Sequence, residues 1–248
     1  MFCAIPGQLP AADTRELFGV VLPPGRIVNS EQGAGAPVAW VSSAALPEDR
    51  LTELVRALAA VFPQTGLWPL QALGLGNGLD RPWADGEMDG PDEVIPDALA
   101  VLTRNADEDD EGGAVPAVTE LSPAQPGPDL RPDQLEVEAG GLLLVPVSRP
   151  ADVPAALGWW GGTNYCMSGA DFSAVLGSWE DRFGAVLVSI GFDTMTVQVG
   201  RRPQTEEQFD ALLREHYAFC PDNIDQGLSP DAFRLGLAGW PYWNFWWD

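Results

Sequence analysis

The sequence predicts an α+β protein, a mixed or antiparallel sheet flanked by amphipathic helices, with an acidic disordered linker inserted. Three observations carry this expectation. Apolar residues recur at helical spacing in three separate stretches, short Val-, Ile- and Leu-rich runs of strand length lie between them, and the C-terminal part reads helix, strand, strand, helix rather than a regular alternation.

In residues 1–104, Val38 to Val41 reads as a strand. A helix then opens at Pro47, with Glu48 and Asp49 suited to the positive end of its dipole. Leu51, Leu54, Val55, Leu58 and Phe62 form its apolar face, and Pro63 is expected to end it. Gly66 to Leu75 reads as the next strand, confined by Pro69 to an edge or a bulge. Arg81 to Pro91 is turn-rich and acidic.

Residues 105–139 hold ten acids against Arg131, including the run Asp107 to Glu111, and five prolines, the composition of a solvated linker. From residue 140 the pattern sharpens. Leu142 to Val147 reads as a buried strand, Pro150 to Leu157 as a brief helix, and Phe172, Val175, Leu176, Trp179 and Phe183 as one face of a longer helix. Ala185 to Ile190 and Thr194 to Val199 form a hairpin about Gly191-Phe192-Asp193. Thr205 and Gln208 stand at capping-box spacing before a helix whose stripe carries Phe209, Leu212, Leu213, His216, Tyr217 and Cys220. The closing segment, Trp240 to Asp248, is apolar on both alternating faces, as in a strand covered on both sides.

Composition excludes some partners. All 13 basic residues are Arg, a bias typical of a GC-rich bacterial genome, and the net charge is −23. Such a chain repels phosphate backbones and anionic lipid, so neither nucleic acid nor membrane is expected as a partner. No apolar run reaches the roughly 18–20 residues of a membrane span, and the first ten residues lack the charge and apolar core of a secretory signal. Cys3, Cys166 and Cys220 are widely spaced without a CxxC, in keeping with free thiols and a cytoplasmic location.

No GxSxG, HExxH, P-loop, GxGxxG or EF-hand loop is present, and one histidine leaves little for imidazole chemistry. The most pointed cluster is Tyr217 to Gly227. A helical turn begun at Pro221 puts Asp222 and Asp225 on one face, a carboxylate pair for proton transfer or for a divalent cation; the plainer reading is that Asp222 caps amides. Glu180, Asp193 and Asp248 are further acids such a site could use, Asp248 offering side-chain and terminal carboxylates together. His216 and Cys220, at i and i+4, read either as a thiolate-imidazole pair or as core. Trp159, Asn164, Tyr217, Cys220, Gln226, Trp246, Trp247 and Asp248 are the candidate binding residues, the closing rings forming either core or an aromatic wall.

Trp159 to Asn164 (WWGGTN), Trp179 to Ala185 (WEDRFGA), Tyr217 to Gly227 (YAFCPDNIDQG) and Phe245 to Asp248 (FWWD) resemble the domain-of-unknown-function 4253 family over residues 142–248. Thr65 to Leu70 and Arg81 to Glu87 are similar to the leader of longer actinobacterial members. The resemblance implies a fold and no mechanism. Acidity, aromatic content and missing motifs together point to a non-catalytic module that binds a basic protein, of adaptor or immunity type. The alternative is a hydrolase-like or ligand-binding domain built on Asp222 and Asp225 with a divalent cation.

Overall fold

The computed structural model describes residues 1–31, 35–76, 78–92, 94–108 and 115–248, and side chains throughout these except 105–108. The run Asp107 to Glu111 lies outside the described side chains. The strands are β1 (Glu16–Leu17), β2 (Val20–Val21), β3 (Gly25–Asn29), β4 (Pro37–Ser42), β5 (Leu67–Ala72), β6 (Gly141–Pro146), β7 (Ala185–Ile190), β8 (Thr194–Val199) and β9 (Tyr242–Trp246). The helices are α1 (Glu48–Thr65), α2 (Ala98–Glu108), α3 (Val153–Leu157), α4 (Gly169–Phe183), α5 (Glu206–Phe219), α6 (Asp222–Asp225) and α7 (Pro230–Leu237). β1 and β2 form a small ribbon. The other seven strands form one sheet in the order β3-β4-β6-β5-β7-β8-β9, antiparallel except where β5 meets β7. The α+β expectation holds, and strands from both flanks of the acidic segment share this sheet.

The apolar face expected for α1 is buried, and Pro47 is its N-cap. Pro63 does not end the helix. In the last turn it removes one amide from the ladder, and the chain continues to Thr65; the stop is Gly66, whose φ of 61° and amide bond to Phe62 O make a left-handed C-cap. A Cβ there would stand 1.9 Å from Ile5 O, so the N-terminal segment also requires glycine.

Pro69 likewise lies in a central strand rather than at an edge. β5 registers with β7 only at Gln71 and Ala72, so the missing amide breaks no registered bond on that side. The Leu187 carbonyl of β7 instead accepts Trp68 Nε1 at 2.9 Å. β9 departs from the two-sided burial expected of it. As an edge strand it buries Trp243, Phe245 and Trp247 and turns Asn244 and Trp246 outward, Trp246 being 38% exposed.

The stretch 115–139 is irregular but packed. Val115, Val118, Leu135 and Val137 reach the core while Glu120, Asp129, Asp133, Glu136 and Glu138 stay exposed, so a strongly acidic composition coexists with a buried stripe. It is pinned to α1 through Arg56 Nε to Leu135 O (2.7 Å) and Thr52 Oγ1 to Val137 O (2.9 Å). It is pinned to α4 and α5 through Gln125 N to Arg182 O and Ser122 N to Glu215 Oε1.

α4 and α5 cover one face of β8 and β9, where Trp179, His216, Trp243 and Phe245 interlock. α1 covers part of the opposite face and leaves the β7-β8-β9 side of it open.

Candidate functional site: an acidic groove on the open sheet face

The motif residues of the C-terminal part converge on the last strand and fasten it. Asp222, 3% exposed, accepts from Asp248 N through Oδ2 (2.9 Å) and from Gln226 Nε2 through Oδ1 (2.7 Å). Asn164 Nδ2 donates to Asp248 O at 2.7 Å, Cys220 Sγ to Trp246 O at 3.0 Å, and Trp247 Nε1 to Phe219 O at 3.0 Å. Asn223 Nδ2, which the sequence did not single out, donates to Asn244 O. Trp159 is core, packed edge-on against Trp247 and Phe172. Tyr217 OH bonds the exposed Asp225 carboxylate (3.2 Å), so Asp222 and Asp225 share a turn but serve different partners. Asp222 does not cap its own helix either. Among the described residues no group of three or more His, Cys, Asp and Glu is placed to hold a metal ion.

This arrangement separates the two aspartates. Asp222→Ala is expected to lower stability by about 1.5–3 kcal/mol, because two donors lose a charged acceptor in a buried place. Asp225→Ala should change it by less than about 0.5 kcal/mol. Urea denaturation of both variants checks this, and equal losses would contradict the assignment.

Burial also sets the chemistry of the remaining candidates. His216 lies against both Trp179 (4.7 Å) and Phe245 (5.2 Å), which also touch each other (5.5 Å), neither ring nitrogen has a partner, and burial pushes its pKa down to about 3. Burial pushes the Cys220 thiol up to about 12. At neutral pH the pair is an imidazole and a thiol, with neither charge needed for a thiolate-imidazole couple. Glu180 sits apart from these, at the end of α4. Its Oε2 accepts from Arg149 Nε and Ala151 N (3.2 Å each), its Oε1 is buried without a partner, and burial raises its pKa to about 7.

Two concavities among the described residues bear on these side chains. One, of about 400 Å³, runs between β9 and α6–α7 and gathers Asp222, Gln226 and Trp246 with Leu228, Phe233 and Trp240. Both Asp222 oxygens there are engaged with protein donors. The other, of about 1130 Å³, lies on the open sheet face. Glu48, Asp49 and Glu53 from α1 and Glu136 and Glu138 from the packed acidic stretch wall it, against Arg56 as the one basic lining residue. Alternation produces the second wall: Leu135 and Val137 turn inward, so Glu136 and Glu138 face out. Burial raises the Tyr242 pKa, helped by the bond its OH donates to Glu136 Oε2 (2.6 Å), and Arg56 stands 3.6 Å from the same carboxylate. None of the groove residues was legible as a site, because their proximity is set by sheet register.

Fold and groove together define an α+β protein whose seven-stranded sheet carries helices on both faces and an acidic concavity on the half that α1 leaves open. Residues 141–248 match the family model described as a domain of unknown function (DUF4253). No curated protein and no solved structure matches the chain.

Proposed function

We propose that this protein is a non-catalytic, acidic binding module of a bacterial cytoplasm, an adaptor or immunity-type protein that holds a basic protein segment. The observation that supports this best is the acidic groove, where five carboxylates face one guanidinium across about 1130 Å³. That volume exceeds the roughly 300–1,000 Å³ usual for small-molecule sites and suits a length of polypeptide. Of the acids that a catalytic reading would use, Asp222 and Glu180 hold structural donors, and Asp225 accepts from Tyr217 OH. No helix among the described residues is long and apolar enough to cross a membrane.

Charge reversal tests the reading. Glu53→Arg with Glu136→Arg takes the groove lining from −4 (five acids, one Arg) to zero. Binding of a lysine-rich peptide, measured by titration calorimetry in 20–30 mM salt (on the order of a 20 Å screening length), is expected to weaken about tenfold or more. Glu207→Arg with Asp231→Arg, on exposed positions of α5 and α7, serves as the control and should stay within about twofold. Equal weakening by both pairs would mean a diffuse charge effect and no site.

A further inference from the structure

Cross-strand pairing lays four polar residues in one row on the groove floor. Gln71 of β5 pairs with Ser189 of β7, Ser189 with Thr196 of β8, and Thr196 with Asn244 of β9. Paired residues project from the same face, and all four line the groove. The row depends on an irregularity in β7. Leu187 pairs with Val197 on the helix-covered face, and strict alternation would place Ser189 there too. Instead Val188 is an extra, bulged residue; Ser189 is carried to the groove face, and Ile190, paired with Met195, returns to the covered one. Bulges commonly re-aim a side chain in this way next to functional sites.

The serine so placed is 3% exposed, and its Oγ has no hydrogen-bond partner. A buried hydroxyl left unpaired is costly, and that cost is relieved by a ligand able to bond it. The neighbouring groups fix the ligand's polarity. Gln71 commits its amide nitrogen to Ala139 O (2.9 Å), which leaves its oxygen for a donor, and Thr196 Oγ1 donates to Asn244 Oδ1 (2.9 Å) and keeps its lone pairs. Oxygen acceptors on the floor between carboxylate walls call for a cation rich in N–H groups.

We propose that this row seats an arginine side chain of the basic partner, its guanidinium lying across Gln71 and Ser189; the inference rests on the acidic groove being the partner's site. Adjacent positions in the row are one strand spacing apart, about 4.8 Å, a gap that the planar fork of five N–H donors bridges. The floor is nearly dry at its Gln71–Ser189 end, where the two are 4% and 3% exposed. A guanidinium, more weakly hydrated than an ammonium, enters such a place at lower cost.

Titrating the full chain with hexa-arginine and hexa-lysine tests this. Any carboxylate surface favours arginine, so the decisive quantity is how the ratio of the two affinities changes between wild type and row variants. Wild type is expected to prefer hexa-arginine by about tenfold, the scale of one charged hydrogen bond. Ser189→Ala should bring the ratio to about twofold with hexa-lysine affinity unchanged. Gln71→Met, at the other position under the guanidinium, should shift the ratio the same way and guards against a folding defect at Ser189. An unchanged ratio in both variants, with salt-sensitive binding of both peptides intact, would overturn the arginine seat and leave the acidic groove standing. Failure of wild type to bind either peptide would overturn the groove reading and the arginine seat with it.

Discussion

Glu215→Gln is expected to destabilise the protein by about 3–5 kcal/mol, the cost of leaving one member of a buried ion pair without its partner. Glu215 is fully buried. Its carboxylate accepts from Arg182 Nη1 (2.9 Å) and Nη2 (2.7 Å), from Trp179 Nε1 (2.7 Å) and from the Ser122 amide (2.5 Å). Arg182 also donates to Ser122 O, so one carboxylate ties α4, α5 and the packed acidic stretch into a single network. A glutamine keeps the shape but loses the charge that Arg182 faces. Replacing both Glu215 and Arg182 by Met should recover part of the loss, since the uncompensated charge is gone, while Trp179 Nε1 and the Ser122 amide remain unsatisfied. Chemical denaturation of the single and double variants reads both steps. A loss below about 1 kcal/mol for Glu215→Gln would mean that water reaches the pair.

The second large effect is on the pH dependence of stability, where two buried groups act in opposite directions. Folded His216 has its pKa near 3 against an ordinary 6.5, so below about pH 6.5 the unfolded chain binds a proton that the folded one refuses. Its contribution to stability is present above about pH 6.5 and is lost as pH falls toward 3. Folded Glu180 has its pKa near 7 against an ordinary 4.5, so the folded state keeps a proton that the unfolded chain releases. That contribution is present below about pH 4.5 and is lost as pH rises through 7. Between pH 4.5 and 6.5 the two slopes oppose each other, each about 1.4 kcal/mol per pH unit at most. His216→Phe removes the first: relative to wild type it should gain stability steadily as pH falls from 6.5 to 4.5. Glu180→Gln removes the second, and its stability relative to wild type should climb from pH 4.5 to 7. Urea midpoints across this range check both, and difference profiles that run flat would contradict the burial-driven shifts.

The parts of the fold governed by local periodicity were legible in the sequence. The apolar faces of α1, α4 and α5, the β7–β8 hairpin and the Thr205–Gln208 capping box stand where their spacing put them, the box closing at 3.1 and 3.2 Å. What the sequence misplaced depended on neighbours. Pro69 reads as an edge residue until β5 is seen to pair with β6 there and to lack registered pairing with β7. The residues 115–139 read as linker because Leu135 and Val137 alternate with acids over too short a stretch to outweigh the composition. Of the motif residues, Asn164, Asp222, Gln226 and Asp248 are brought together by the fold to hold the final strand, which leaves their chemistry committed to it. The groove was invisible for a different reason. Gln71, Ser189, Thr196 and Asn244 become neighbours only through sheet order and the bulge at Val188, neither of which is written in local spacing.

Amide chemical-shift mapping of the full chain, titrated with hexa-arginine at low salt, reads directly where a basic segment sits. Binding in the acidic groove predicts perturbations concentrated on the first turns of α1, on residues 136–138 and on the floor positions Gln71, Ser189, Thr196 and Asn244, all of which fade as salt rises. Perturbations centred instead on α5 and α7, or on the run Asp107 to Glu111, would place the basic partner elsewhere and contradict it.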